Sequence, residues 1–476
     1  MTHHGNQPAR TFLTGARPIP QEFVDQASGR ATWHRKIGRP VTFWLLVLPF
    51  VLLAKPWVPS FSWLVVHIVT LGLITTSIMV WSQHFTEALL KNRLPESARL
   101  WQVRRIYALT VAVFVIIAGM LNSVFALTFI GSLAVGVVLA CHGFSLLWQL
   151  KKALPARFRS TVYFYIVAAW TLPFGALCGA LLTYPPVLRH GYAQLLLAHE
   201  AINILGFVGI TVVGTLMTLW PTMLRTRMHP QAVRWSLVAL AMMSLSVLII
   251  LLGAFIGVHY VSGAGFVLYA VAIGLVLVLM VQTCTVKKPV DYSTGSVLCA
   301  VFWLLVAVVV ASFLVLNASS FADVKMRILT PIFVAGFLLQ VLLGSMTYLF
   351  PVQIGGGPSV VRSANAVFNR YAWVRISVIN LALLVSVGFE YVGRPLPPLT
   401  AILGVLGFCA FIPLMVLSVR ASVRGRARLL EAQSRGEKVQ FSVEQTTQQI
   451  PAIGREVSVG VALVVFALVV DGLFFL

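Results

Sequence analysis

Apolar residues run in long blocks along this chain, and polar residues gather in short stretches between them. A helix needs about 20 predominantly apolar residues to cross a bilayer. Thirteen blocks reach or approach that length: 41–56, 62–84, 106–122, 124–148, 162–184, 193–220, 232–258, 261–285, 294–317, 326–350, 371–393, 398–419 and 457–476. The first is the shortest and runs into Lys55-Pro56. Residues 1–40 are polar, contain Pro18, Pro20 and Pro40, and lack the apolar core and cleavage site of a secretory signal peptide. The pattern predicts an all-α polytopic membrane protein. Its expected parts are a polar tail (1–40), a twelve-helix domain (41–419), a basic loop (420–456) and a final membrane helix (457–476).

Composition agrees. Hydrophobic residues make up 59% of the 476 and charged residues only 10%, against about 25% charged in soluble proteins. The longest polar stretches are the tail and the 420–456 loop. No P-loop, dinucleotide-binding or nucleophile-elbow motif occurs in the chain. Any chemistry therefore belongs inside the helix bundle.

The formal charge of +22 would suggest nucleic acid in a soluble protein. Here the loops of one parity carry 30 of the 35 lysines and arginines, and those of the other parity carry five. That asymmetry is the positive-inside signal. It predicts a multi-pass protein of the plasma membrane, with a cytoplasmic N-terminus and an extracytoplasmic C-terminus. The cations face lipid headgroups, and no nucleic-acid partner is expected.

Three blocks share a pattern. The sixth reads Gly206-Phe207, Gly214 and Leu219-Trp220-Pro221. The tenth reads Gly336-Phe337, Gly344 and Leu349-Phe350-Pro351, at a constant offset of 130. The second fits more loosely, with Gly72 offset by 134 from Gly206. These are the second helices of three four-helix units, 41–148, 162–285 and 294–419. An even number of helices per unit gives every copy the same orientation, so the repeat is of the parallel type.

This arrangement resembles subunit I of the haem–copper oxidases, with nitric-oxide-associated membrane proteins among its relatives. The segments beginning at His67 (HIVTLGLITTSIMVWSQHF), His199 (HEAINILGFVGITVVGTLMTLWPTMLRTR) and Gly336 (GFLLQVLLGSMTYLFPVQIGGGP) also resemble a particular membrane module. It is the one fused to cupredoxin domains in actinobacterial copper oxidase or nitrite-reductase-like proteins. The resemblance implies a redox role, with quinol or an external cupredoxin-type copper protein as partner. The sequence ends with the last helix, so that partner is expected as a separate polypeptide, or the chain serves only as a membrane anchor. The likeness has gaps. The family's sixth helix carries His-Pro-Glu-x-Tyr where this chain has His199-Glu200-Ala201. The tenth helix lacks the expected histidines, and Pro331 stands at the position aligned with His67. A complete binuclear oxygen-reducing centre is therefore not expected.

Ionisable residues inside a membrane are costly and mark functional candidates. The blocks contain Glu200 and Asp471 as acids, and His67, His84, His142 and His199. His67 and His199 fall at similar depth near one face of the membrane. His84 and His142 fall near the other, about 25 Å away at 1.5 Å per residue. Two imidazoles facing each other at one depth are what six-coordinate haem b requires; they could also hold copper. The alternative is histidines bonded between helices. Asn203 shares a face with His199. Glu200 could carry protons or stabilise a cationic site, or make one interhelical hydrogen bond. Asp471 could be a relay or simply lie near the outer interface, and the second is expected. The five cysteines lie in the spans without a CxxC motif, so neither a disulfide framework nor a zinc site is indicated.

The expected function is an integral membrane haem- or copper-binding electron-transfer module. The competing readings are a structural membrane scaffold whose chemistry has decayed and a cofactor-free permease for copper or a small anion. The permease predicts broken helices, and Pro173-Phe174-Gly175 is the best sequence interruption.

Overall fold

The computed structural model describes residues 21–474, apart from residues 93, 157, 190, 356 and 436–452. Thirteen helices among the described residues are long and apolar enough to cross a membrane. They are α1 (Lys36–Leu53), α2 (Phe61–Leu90), α3 (Glu96–Leu121), α4 (Phe125–Lys152), α5 (Arg159–Leu181), α6 (Tyr192–Met223) and α7 (Ala232–Ile256). Then come α8 (His259–Val286), α9 (Tyr292–Leu316), α10 (Phe321–Ile354), α11 (Ala372–Tyr391), α12 (Pro398–Arg428) and α13 (Ile453–Leu473). Each answers one apolar block. The protein is an all-α polytopic membrane protein.

The ends of some elements differ from expectation. The helix that becomes α1 begins at Gln21 and runs through Pro40 and Pro49 to Leu53. The second half of the polar tail is thus helical. Lys55-Pro56 does not extend α1 but forms a separate 3₁₀ turn. At the other end, the helix of α12 continues past the bilayer-length block to Ser434. α5 passes through Pro173 unbroken, so the interruption expected of a carrier is absent there.

Burial sorts the helices. α2, α6 and α10 are the most enclosed of the spans. The remaining helices expose large apolar side chains, such as Val111, Phe174, Phe255, Phe313 and Phe466. In water these would be an aggregation hazard; against lipid they need no cover.

Each of the three enclosed helices contains one stretch of wide, π-type turns: Ile68–Thr75, Ala201–Gly209 and Ile332–Leu339. The offsets of 134 and 130 residues read from the sequence bring all three into coincidence, the middle one starting a residue early. Such turns release backbone carbonyls, which must find donors in a medium without water. In α2 the Thr75 hydroxyl donates to Thr70 O at 2.8 Å. In α6, Tyr269 from α8 donates to Leu205 O at 2.9 Å. In α10 the Gln340 amide donates to Gly336 O at 3.1 Å.

The last helix is bolted on by its two acids. The Glu456 carboxylate accepts from Trp373 N at 2.9 Å, in the first turn of α11. Asp471 accepts from Leu399 N at 2.8 Å, and from Thr400 N at 3.0 Å and its hydroxyl at 2.8 Å, in the first turn of α12. Helix N-termini leave N–H groups unpaired and carry partial positive charge, so carboxylates are stabilising there. α11 and α12 start at opposite ends of α13, so one helix caps both. Asp471 is completely buried by this contact. It caps the helix it touches.

Candidate functional site

The structure brings His67 and His199 together. Their ring centroids are 6.3 Å apart, with planes inclined by 23°. His67 also stacks on Trp63 at 4.1 Å and 23°. The three rings lie near the end of the bundle opposite the basic loops. Each histidine stands at the end of a regular helical stretch, Phe61–His67 and Tyr192–Glu200, where the wide turns begin.

Both rings are held through Nδ1. His67 Nδ1 donates to Trp63 O at 2.8 Å, one turn back in its own helix. His199 Nδ1 donates to Gly175 O on α5 at 2.9 Å. A carbonyl can only accept, so each Nδ1 carries the proton, and Nε2 keeps the lone pair in the neutral ring. No described residue makes a hydrogen bond to either Nε2. The Asn203 amide, 3.1 Å from His199 Nδ1, donates instead to His199 O at 2.7 Å. α5 approaches closely enough for this only because it carries glycine. A methyl group on Gly179 would lie 2.6 Å from His199 Cε1. One on Gly175 would overlap the Asn203 side chain.

Two imidazoles with fixed Nδ1–H and free Nε2 are the donor set of a metal site, and a backbone partner on the second nitrogen is its usual support. Two rings holding one metal atom between them, with metal–nitrogen bonds of about 2 Å, sit about 6 Å apart. Among the described residues no group of three or more His, Cys, Asp or Glu could hold a metal ion. Haem needs only the axial pair, because its macrocycle supplies the other four nitrogens. Glu200 is half-buried beside the pair and makes no hydrogen bond or ion pair with another described residue.

His84 and His142 are not brought ring to ring. His142 Nε2 lies 2.9 Å from Ser82 Oγ, on a different face of α2 from His84. His84 packs edge-on against Trp81 and Phe85. His142 belongs to a polar knot between α2, α3 and α4. Gln83 and Gln149 exchange amide bonds of 2.8 and 3.1 Å. Arg105 donates to Cys141 O at 3.0 Å and to Ser145 Oγ at 3.4 Å. Arg99 lies 3.8 Å from Glu87.

Sequence reasoning missed Trp63, although its spacing of four residues before His67 places it on the same helix face. It also missed the glycines of α5, whose role depends on which helix packs there. No protein-family model, curated protein or solved structure matches the chain.

Proposed function

We propose that the chain is a membrane electron-transfer module binding a metal cofactor between His67 and His199. Haem b is the group that fits the donor set best. One observation carries this reading: two imidazoles lie 6.3 Å apart at similar depth, each pinned through Nδ1 to a carbonyl, with neither Nε2 bonded to a described residue. Bound haem would supply a reversible one-electron couple. The protein's own part is to hold both rings, exclude water with the apolar helices around them, and place Trp63 next to His67. A bound copper ion is the smaller alternative for the same pair.

The positive-inside rule puts the pair towards the extracytoplasmic side of the plasma membrane. A donor such as quinol or a cupredoxin-type copper protein would reach it from there. The resemblance to haem–copper oxidase subunit I supports the same assignment, without their binuclear centre. The test is a reduced-minus-oxidised visible spectrum and a metal analysis of the protein purified from its native membrane. The expected result is a haem b Soret and α band. A colourless protein without copper overturns the proposal and favours the permease.

A further inference from the structure

α2, α6 and α10 also line a partly open cavity of about 80 Å³ on the half of the bundle nearer the basic loops. The α2 wall consists of Ile74, Ser77, Ile78, Trp81, Ser82 and Phe85. The α6 wall is the same six positions shifted by 134, and the α10 wall is five of those six shifted by a further 130. Three equivalent walls around one space place the cavity on a pseudo-threefold axis. It begins where the wide turns end.

The lining is almost entirely carbon, and most of its hydroxyls are already committed. Ser77 donates to Leu73 O at 2.7 Å, Thr215 donates to Thr211 O at 2.8 Å, and Ser82 pairs with His142. Thr211 and Ser345 are left. Val341 is the residue aligned with Thr211, so Ser345 sits one turn further along the axis, about 6 Å away. The two hydroxyls do not converge on a point. A buried water needs two to four polar partners, whereas an apolar cavity stays dry and takes up apolar guests. A cavity of about 150 Å³ admits benzene; this one is about half that size.

We infer that the axial cavity is a binding site for a small uncharged apolar molecule, the size of a diatomic gas or a xenon atom, drawn from the bilayer in which such molecules dissolve. This inference does not depend on the cofactor assigned to His67 and His199.

Xenon-pressurised crystals of the full chain test it. The expected result is an anomalous peak on the axis between Ser77, Thr211 and Val341. It should persist in Thr211→Val, which removes a hydroxyl while keeping the shape, and fall at least tenfold in occupancy in Val212→Phe, which fills the space. Should Val212→Phe fail to fold, Ser345→Leu serves as the second filling variant. Ordered water in place of xenon overturns the inference. So does loss of the peak in Thr211→Val, or a cavity that holds neither.

Discussion

His67 and His142 are both membrane-span histidines, yet the protein holds their rings in opposite ways. At the His67–His199 pair each ring gives Nδ1 to a backbone carbonyl and leaves Nε2 unbonded. At His142 it is Nε2 that is taken, by Ser82, while Nδ1 is buried without a partner. Around the first pair lie Trp63 and close-packed glycines. Around the second lie glutamines, arginines and hydroxyls, with Thr86 and both amide atoms of Gln102 also buried and unbonded. A backbone carbonyl fixes a tautomer without competing for the second nitrogen. A serine bonded to Nε2 competes for the atom a metal would use. The difference separates a pair whose Nε2 atoms bond no described residue from a polar knot that ties three helices together.

The largest expected effect is on the first region. His199→Ala removes one of the two residues proposed to hold the cofactor and should lower haem retained on purification more than tenfold, measured by absorbance per protein. His67→Ala should do the same. Retention above half in either variant would break the comparison from its functional side.

Next comes the knot. His142→Ala should leave haem content unchanged. It strands the Ser82 hydroxyl and opens a buried gap, at a cost of about 1–3 kcal/mol. Denaturant or thermal unfolding in detergent measures it. Asp471→Ala gives a reference of purely structural origin, with a cap loss of about 1 kcal/mol and no change in spectrum. Asp471→Asn keeps one acceptor and should lose less.

Smaller and more diagnostic is Gly179→Ala. Its methyl group would meet the His199 ring, so the ring must turn. Electron paramagnetic resonance of the oxidised protein should report a changed angle between the imidazole planes, with little loss of haem. Smallest of all is Trp63→Phe, which preserves an aromatic face against His67 and should alter the spectrum only slightly. Trp63→Leu should alter it more.

Much of the fold was legible because lipid imposes one rule: every backbone polar group must be satisfied inside the protein, mostly within its own helix. Thirteen apolar blocks became thirteen helices on that account. Helix ends were less legible, because polarity marks where the bilayer stops and not where the helix does. Gln21–Arg35 and Ala421–Ser434 are polar stretches that continue a helix into the aqueous side. The repeat offsets, read from Gly206, Gly336 and Gly72, also bring the three wide-turn segments and the cavity walls into register. Those turns themselves left no sequence signal, since they depend on donors such as Tyr269 arriving from another helix.

The site was legible in part. Equal depth could be counted along α2 and α6, which brought His67 and His199 into one candidate pair. Depth says nothing about azimuth, however. His84 and His142 also share a depth, and they face different neighbours. Asp471 shows the same limit. Its position near a helix end was visible, but the N-terminus it caps belongs to α12, 71 residues earlier at Thr400.

Visible spectra of the purified wild-type protein, His199→Ala and His142→Ala, recorded side by side in oxidised and reduced form, bear on this account most directly. The account predicts a haem b spectrum in the wild type, its loss in His199→Ala and its retention in His142→Ala. An unchanged spectrum in His199→Ala, or a wild-type protein with neither haem nor copper, would contradict it.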